Sequence, residues 1–391
     1  MGIHSSNSIK QYKNNIAEYL NIDTGHVSLF WKGRVALYAI LKALGVGKGD
    51  EVIIPAFTCV VVPNAIIYLG AKPVYIDIDP LTYNIDVNKI ESKITGRTKV
   101  ILAQNTFGLS PDLDVIIEIA NKHNIKVVED CTHGFGGSYK GKKNGTIADA
   151  SFYSTQWNKP FSTGIGGIAV VKDMYFSEAL LKIEQEALTP SWKESLLLNS
   201  LIFAREKLMV SAIYWPALKL YRYLSQKNII IGSSLKEELQ APQLFPEFLK
   251  GMSRIQAKKG IKALKLIDKH NKQRIAVAEK YNEFLHNLGL RKVFQPDYAK
   301  HTFLKFPILV KDRKQFAALA ERNNIEVGEW FISPIHPVVE KYHCWHYKYG
   351  ENMVAETIAQ KIINLPTHPN INSKALNKIL VFLEKNKELL A

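Results

Sequence analysis

The chain has 391 residues, 47% hydrophobic and 22% charged, a globular balance long enough for two domains and a sizeable core. No window approaches the roughly 18 uninterrupted apolar residues of a membrane span, the polar start is no leader, and three dispersed cysteines form neither a disulfide framework nor a metal spacing, so a cytoplasmic protein is expected. The formal charge of +15 suits an anionic small substrate, a membrane surface or solubility; without a helix-turn-helix, zinc-finger or aromatic RNA-binding pattern, nucleic acid is set aside as a partner.

A polar–apolar pattern predicts a short helix over 8–20 and a strand over 26–31, after which an α/β rhythm begins. Leu37, Ile40, Leu41 and Leu44 fall at helical spacing, and Gly45, Gly47 and Gly49 close that helix before a strand at 51–54. The rhythm continues as helix 60–69, strand 73–78, helix 87–94, strand 99–103, helix 113–122 and strand 126–129. Short β-branched runs alternating with helices predict a mostly parallel sheet covered on both faces, with ligands gathering at the carboxyl ends of its strands. Asp130 follows the last of these runs, which places it in that crevice. The stretch 151–168 then carries one lysine, Lys159, between two β-type runs and beside Gly164, Gly166 and Gly167. From 174 to about 249 the pattern is helical, with breaks at Pro190, Pro216 and Pro242. A long helix is predicted over 253–288, a strand over 302–310 and a final helix over 373–389. The expected division is a large sheet domain, 1–174, a helical insertion, 175–250, and a connecting helix with a smaller C-terminal α/β domain, 251–391.

Lysine attacks a carbonyl only as the free amine, so a catalytic lysine must be desolvated or held as an imine. With a carboxylate at a strand end and an amine on a later loop, a cofactor bearing a cationic ring nitrogen and an aldehyde could bridge Asp130 and Lys159. Pyridoxal 5′-phosphate has both groups. Its phosphate would suit the turn Lys32-Gly33-Arg34, where backbone amides open a helix beside a guanidinium, with the Ser154 hydroxyl on the lysine's loop. Each residue has a plainer alternative: Asp130 as a helix cap or loop carboxylate, Arg34 as a solvated first-turn residue, Lys159 as a solubilising charge.

Several motifs together carry a resemblance. Lys32-Gly-Arg-Val-Ala-Leu, Gly49-Asp-Glu-Val-Ile-Ile-Pro-Ala-Phe-Thr, Gly70-Ala-Lys-Pro-Val-Tyr-Ile-Asp-Ile-Asp, Val128-Glu-Asp-Cys-Thr-His-Gly and the Lys159 loop closing on Thr-Gly-Ile-Gly-Gly stand in the order and spacing of the DegT-type sugar aminotransferases. The resemblance resumes at Met252-Ser-Arg-Ile-Gln-Ala, Ser333-Pro-Ile-His-Pro and Leu365-Pro-Thr-His-Pro. It implies the aspartate aminotransferase fold, pyridoxal phosphate as cofactor and a homodimer. It also implies amino transfer from an amino acid, glutamate by resemblance, to a keto sugar on a nucleotide carrier, in polysaccharide or glycoconjugate biosynthesis. Lys159 would be the Schiff-base lysine, Asp130 the partner of the ring nitrogen, His133 a contact to the ring hydroxyl, and Ser154 with the Gly33 and Arg34 amides the phosphate cradle. His336 would border the substrate.

Three departures from the family pattern stand out. Cys59 occupies the position of an aromatic ring that usually lies over the cofactor, and Ile165 that of an acidic residue between the loop glycines. Leu249 aligns with an asparagine that reaches the neighbouring subunit's phosphate, leaving Lys250 or Arg34 as replacements. A cofactor-binding regulatory or interaction protein without turnover is the alternative these departures allow; the retained Lys159 and Asp130 favour the enzyme. Two other patterns are set aside: 136–142 has P-loop-like spacing but lacks the Ser or Thr that would hold magnesium, and His343, Cys344 and His346 read as a surface or interface segment rather than a metal site. Within the insertion, Trp215, Lys219 and Arg222 belong to a basic, aromatic stretch, 195–227, for which two expectations compete: packing on the protein, or peripheral attachment to the anionic inner face of a membrane.

Overall fold

A computed structural model describes residues 7–208 and 237–391. Its centre is a seven-stranded sheet made of β1 (Val27–Phe30), β2 (Glu51–Pro55), β3 (Lys72–Ile76), β4 (Thr98–Gln104), β5 (Lys126–Asp130), β6 (Ala150–Ser154) and β7 (Gly167–Val171). Their spatial order is β1-β7-β6-β5-β4-β2-β3. Every neighbouring pair from β6 across to β3 is parallel, and β7 alone runs against its two neighbours, so the mostly parallel sheet read from the β-branched runs is present. All residues of β2 and β7 are buried, as expected where both faces are covered.

The covering helices are α1 (Asn7–Leu20), α2 (Gly33–Ala43), α3 (Val61–Ile67), α4 (Leu113–Lys122), α5 (Met174–Glu186), α6 (Trp192–Leu208), α7 (Arg254–Leu264) and α8 (Ile267–Asn287). On one face, α2 contributes Val35, Leu37, Ile40 and Leu41 to a core shared with Val52, Ile54, Phe152 and Val171, and the later residues Phe331, Ile335 and Trp345 join the same core. On another, Tyr12 and Ile16 of α1 meet Val27, Leu29, Ile168 and Ala257. A third core gathers Tyr281 and Leu285 of α8 with Phe306, Phe316, Ile363 and Phe382, around the antiparallel pair Phe306–Leu309 and Ile362–Leu365.

Three predicted elements are corrected. Residues 87–94 form two short 3-10 turns, Val87–Lys89 and Glu91–Lys93, because the Asp86 carboxylate caps the Asn88 N–H and Ile90 is buried between the turns. The long helix over 253–288 is two helices. Leu266 N–H turns back to the Ala263 carbonyl, and the step lets Leu264 and Ile267 enter one core while Leu266 stays exposed. The strand predicted over 302–310 is confined to Phe306–Leu309.

The second helix of the insertion, α6, lies on the lysine loop. Leu198 and Ile202 pack with Trp31 and Ile165, while Trp192, Leu196 and Phe203 remain exposed. Arg205 donates to Asn158 Oδ1 at 3.1 Å and stands 5.3 Å from the centre of the Trp157 ring. Thus the described part of the 195–227 stretch has one face docked on the protein; Trp215, Lys219, Arg222 and the rest of the stretch beyond Leu208 lie outside the described residues. No helix among the described residues is long and apolar enough to cross a membrane.

Candidate active site

Alternation along β5 sorts two adjacent carboxylates into different tasks. Glu129 accepts N–H groups from Gly145, Ile147 and Ala148 at 2.8 to 3.1 Å and anchors the loop that leads into β6. Asp130, on the other face, opens into a cavity of about 400 Å³. It is 3% exposed and accepts the Thr132 N–H at 3.0 Å. Burial raises its pKa, opposed by the hydrogen bonds from Thr132 and the charge of Lys159.

The connection from β6 to β7 carries Lys159 and is pinned at several points. Thr155 and Gly166 bond across its base at 3.0 Å, Thr163 N–H reaches the Thr155 carbonyl at 2.9 Å, and the Thr155 and Thr163 hydroxyls meet at 2.6 Å. Gln256 of α7 donates to the Ile165 carbonyl at 2.7 Å, and Arg274 of α8 to the Pro160 carbonyl at 2.7 Å. The amine is therefore presented from a braced loop. Its Nζ stands 4.9 Å from the centre of the Trp330 ring. Enclosure lowers its pKa to about 8, with Asp130 partly opposing the shift.

At the start of α2, Gly33 meets Ser154 so closely that a Cβ on the glycine would fall 2.8 Å from the Ser154 Cβ and 3.1 Å from its Oγ. Only a glycine allows this approach, which brings the helix N-terminus and a hydroxyl to one point on the cavity wall. The Arg34 guanidinium is not a spare charge beside that point: it is paired with Glu238 at 2.5 Å, both side chains buried. Lys250 is likewise engaged, by Glu194 and Glu247, each at 2.7 Å. The two replacements read from the sequence for the missing asparagine therefore already have carboxylate partners.

Lys159, Asp130, His133, Ser154, Gly33, Arg34 and His336 all line this one cavity. His133 is 4% exposed, its ring stacks on Trp330 at 5.2 Å, and its Nδ1 has no hydrogen-bond partner. Burial, with the charges of Lys159 and Lys305, holds it neutral by pushing its pKa well below the ordinary histidine value. His336 is pushed down to about 4, chiefly by burial, and faces the cavity from a short parallel pairing with Cys59. No aromatic ring stands at position 59; His133, Trp330 and Phe331 supply stacked rings on the cavity wall instead.

Lys159, Gln156, Trp330 and His336 also border a larger groove of about 1010 Å³. The groove is lined by Arg274, Lys305 and Lys259 from beyond the insertion, by Arg205 from α6, and by the carboxylates of Glu206, Glu321, Glu326 and Glu329, of which Glu206 is paired with Lys259. Lys159 thus lines both the smaller cavity and the larger groove. Residues that sequence reading missed include Gln104, Thr58, Trp330 and Lys305. Gln104 ends β4 as Asp130 ends β5, so the strand-end rule could have found it; Trp330 sits in no recognised motif.

Residues 2–199 and 236–384 match the DegT/DnrJ/EryC1/StrS aminotransferase family. The chain belongs to that family. It is 30% identical over 370 residues to a GDP-perosamine synthase of Escherichia coli O157:H7, covering 94% of this chain and 87% of that protein. Over 155 residues, 39% of this chain and 42% of the relative, it is 44% identical to a UDP-2-acetamido-2-deoxy-3-oxo-D-glucuronate aminotransferase of Pseudomonas aeruginosa. A putative sugar aminotransferase from Streptococcus pneumoniae in its PLP form superposes with a TM-score of 0.77 at 20% identity, covering 99% of this chain and 93% of that one, so the fold is shared.

DegT-family aminotransferases use pyridoxal phosphate, and the cavity fits that group. It offers a buried carboxylate for a ring nitrogen, a neutral histidine with a partnerless nitrogen, an amine of lowered pKa, and a glycine–serine contact at a helix N-terminus. The amine's pKa makes a prediction. Lysine must lose its proton before it attacks an aldehyde, so the rate at which apoenzyme takes up cofactor should rise about tenfold per pH unit below pH 8 and level off above it. Stopped-flow absorbance across pH 6 to 10 would show this; a rate still climbing tenfold per unit up to pH 10 would place Lys159 at an ordinary lysine pKa.

Proposed function

We propose that this family member moves an amino group from an amino acid, glutamate as the proposed donor, to a keto sugar carried on a nucleotide. The observation that carries the proposal is the position of Lys159 on both the smaller cavity that fits the cofactor and the larger charged groove beside it. Bound in the cavity, the cofactor supplies an aldehyde and an electron-withdrawing ring. Asp130 would hold that ring's nitrogen protonated through a charge-assisted hydrogen bond. Lys159, as a free amine, would take the proton from the α carbon of the amino donor and deliver it to the former aldehyde carbon, across the intervening nitrogen. With the keto sugar it moves protons in the opposite sense. The stacked His133, Trp330 and Phe331 rings limit water access to one wall of the cavity.

The groove supports an anionic carrier. Arg274 donates to Asn271 and to the Pro160 carbonyl, and Lys305 stands beside it, partly balanced by Glu326. Burial lowers the pKa of Arg274 to about 10 and lowers that of Lys305, a desolvation cost that a bound anion would offset. Lys305→Met should raise KM for the nucleotide sugar by roughly tenfold, the worth of one charge-assisted contact, and leave the half-reaction with glutamate within about threefold. The proposal includes the homodimer that the family resemblance implies. Its test is incubation of the holoenzyme with ¹⁵N-labelled glutamate and a panel of nucleotide keto sugars, read by mass. An amino sugar carrying the label is expected; consumption of no panel member with any amino donor would leave the non-catalytic alternative in its place.

A further inference from the structure

Three cations gather around the N-terminus of α2, and two of them are neutralised. Arg34 is committed to Glu238, and Lys250 to Glu194 and Glu247. The third, Lys32, is the N-cap residue of α2, makes no side-chain cap bond, and lines the cavity beside Gly33 and Ser154. No carboxylate stands at ion-pair distance from it among the described residues. Its surroundings on balance disfavour the charge, first by enclosure and then by the nearby Arg34 guanidinium, with Glu238 and Glu194 opposing the shift from a distance. An ammonium at the positive end of a helix is unfavourable unless an anion joins it. The same cavity contains a second sign of a missing ligand, the partnerless and nine-tenths buried Nδ1 of His133.

Resting on the cofactor assignment above, we propose that the Lys32 ammonium is the side-chain counter-ion of the cofactor phosphate. It would act with the first-turn amides of α2 and the Ser154 hydroxyl, in place of the polar residue that Leu249 removes. The close Gly33–Ser154 contact leaves the helix terminus open to the cavity, and Lys32 supplies the charge that neither Arg34 nor Lys250 has to spare. A lysine in this role contributes a point charge, so charge rather than shape should determine which substitutions are tolerated.

The test compares the affinities of apoenzyme for pyridoxal 5′-phosphate and for pyridoxal, which lacks only the phosphate, by absorbance titration. Lys32→Met should weaken pyridoxal phosphate by roughly ten- to hundredfold and leave pyridoxal within about threefold, so that the ratio of the two affinities collapses. Lys32→Arg should keep most of that ratio. A Lys32→Met protein with the parent's ratio overturns the proposal, as does a Lys32→Met protein that loses both ligands equally while its melting temperature is unchanged. Failure of the parent itself to bind pyridoxal phosphate would overturn the cofactor assignment, and is told apart because it needs no variant.

Discussion

Lys159→Ala should abolish amino transfer while leaving a protein that still takes up cofactor. The loop does not depend on the lysine side chain for its shape: the Thr155–Gly166 and Thr155–Thr163 bonds, Gln256 and Arg274 hold it through other groups. Removing the amine removes a charge that the cavity disfavours while taking from Asp130 the charge that partly offsets its burial, so apoenzyme stability should stay close to the parent's. Catalytically, the residue that carries the proton between two carbons is lost. Such groups contribute about two to four decades, or roughly 3 to 5 kcal/mol of barrier. Turnover with glutamate should drop by at least that much and recover in part with a small primary amine added to the buffer, which can enter from the open groove. The mutant cofactor spectrum should become insensitive to pH around 8. Turnover near the parent's value would remove Lys159 from the mechanism.

Asp130→Asn should also preserve the fold, with a smaller kinetic loss. Burial raises the Asp130 pKa despite the opposing charge of Lys159, so replacing the carboxylate by an amide relieves a desolvated charge and the apoenzyme should melt no lower than the parent. The holoenzyme should suffer, because an amide cannot keep the ring nitrogen protonated. Losing that charge-assisted hydrogen bond should cost on the order of 2 to 4 kcal/mol at the transition state, or roughly one and a half to three decades in rate. Asp130→Ala should lose cofactor affinity as well. A fully active Asn variant would show that Asp130 does not face the ring.

The sheet was legible because each strand is a short β-branched run punctuated by glycine or followed by a helical stripe, and burial on both faces leaves little choice of residue. Asp130 was legible from the same logic, as the first polar residue past the end of such a run. Lys159 was found because it is the one amine on a glycine-closed loop. What the sequence did not reveal depends on partners distant in the chain. Arg34 reads locally as a phosphate ligand, and only the fold brings Glu238, 204 residues away, onto its guanidinium. Lys250 is likewise drawn off by Glu194, 56 residues before it. Trp330, which stands against both His133 and Lys159, carries no periodicity or motif; its place is set by Asn364, whose side chain accepts its backbone N–H at 2.9 Å. The break between α7 and α8 was hidden because Leu264 and Ile267 keep an apolar spacing that a continuous helix would also show.

Amino transfer by this chain requires the amine of Lys159 to stand within bonding reach of the cofactor's aldehyde. Borohydride reduction of the holoenzyme, followed by digestion and mass spectrometry of the peptides, tests this most directly. A single phosphopyridoxyl adduct on Lys159, with Lys32 and Lys305 unmodified, is the predicted result. An adduct on another lysine, or holoenzyme that retains its colour but yields no reduced adduct, would contradict it.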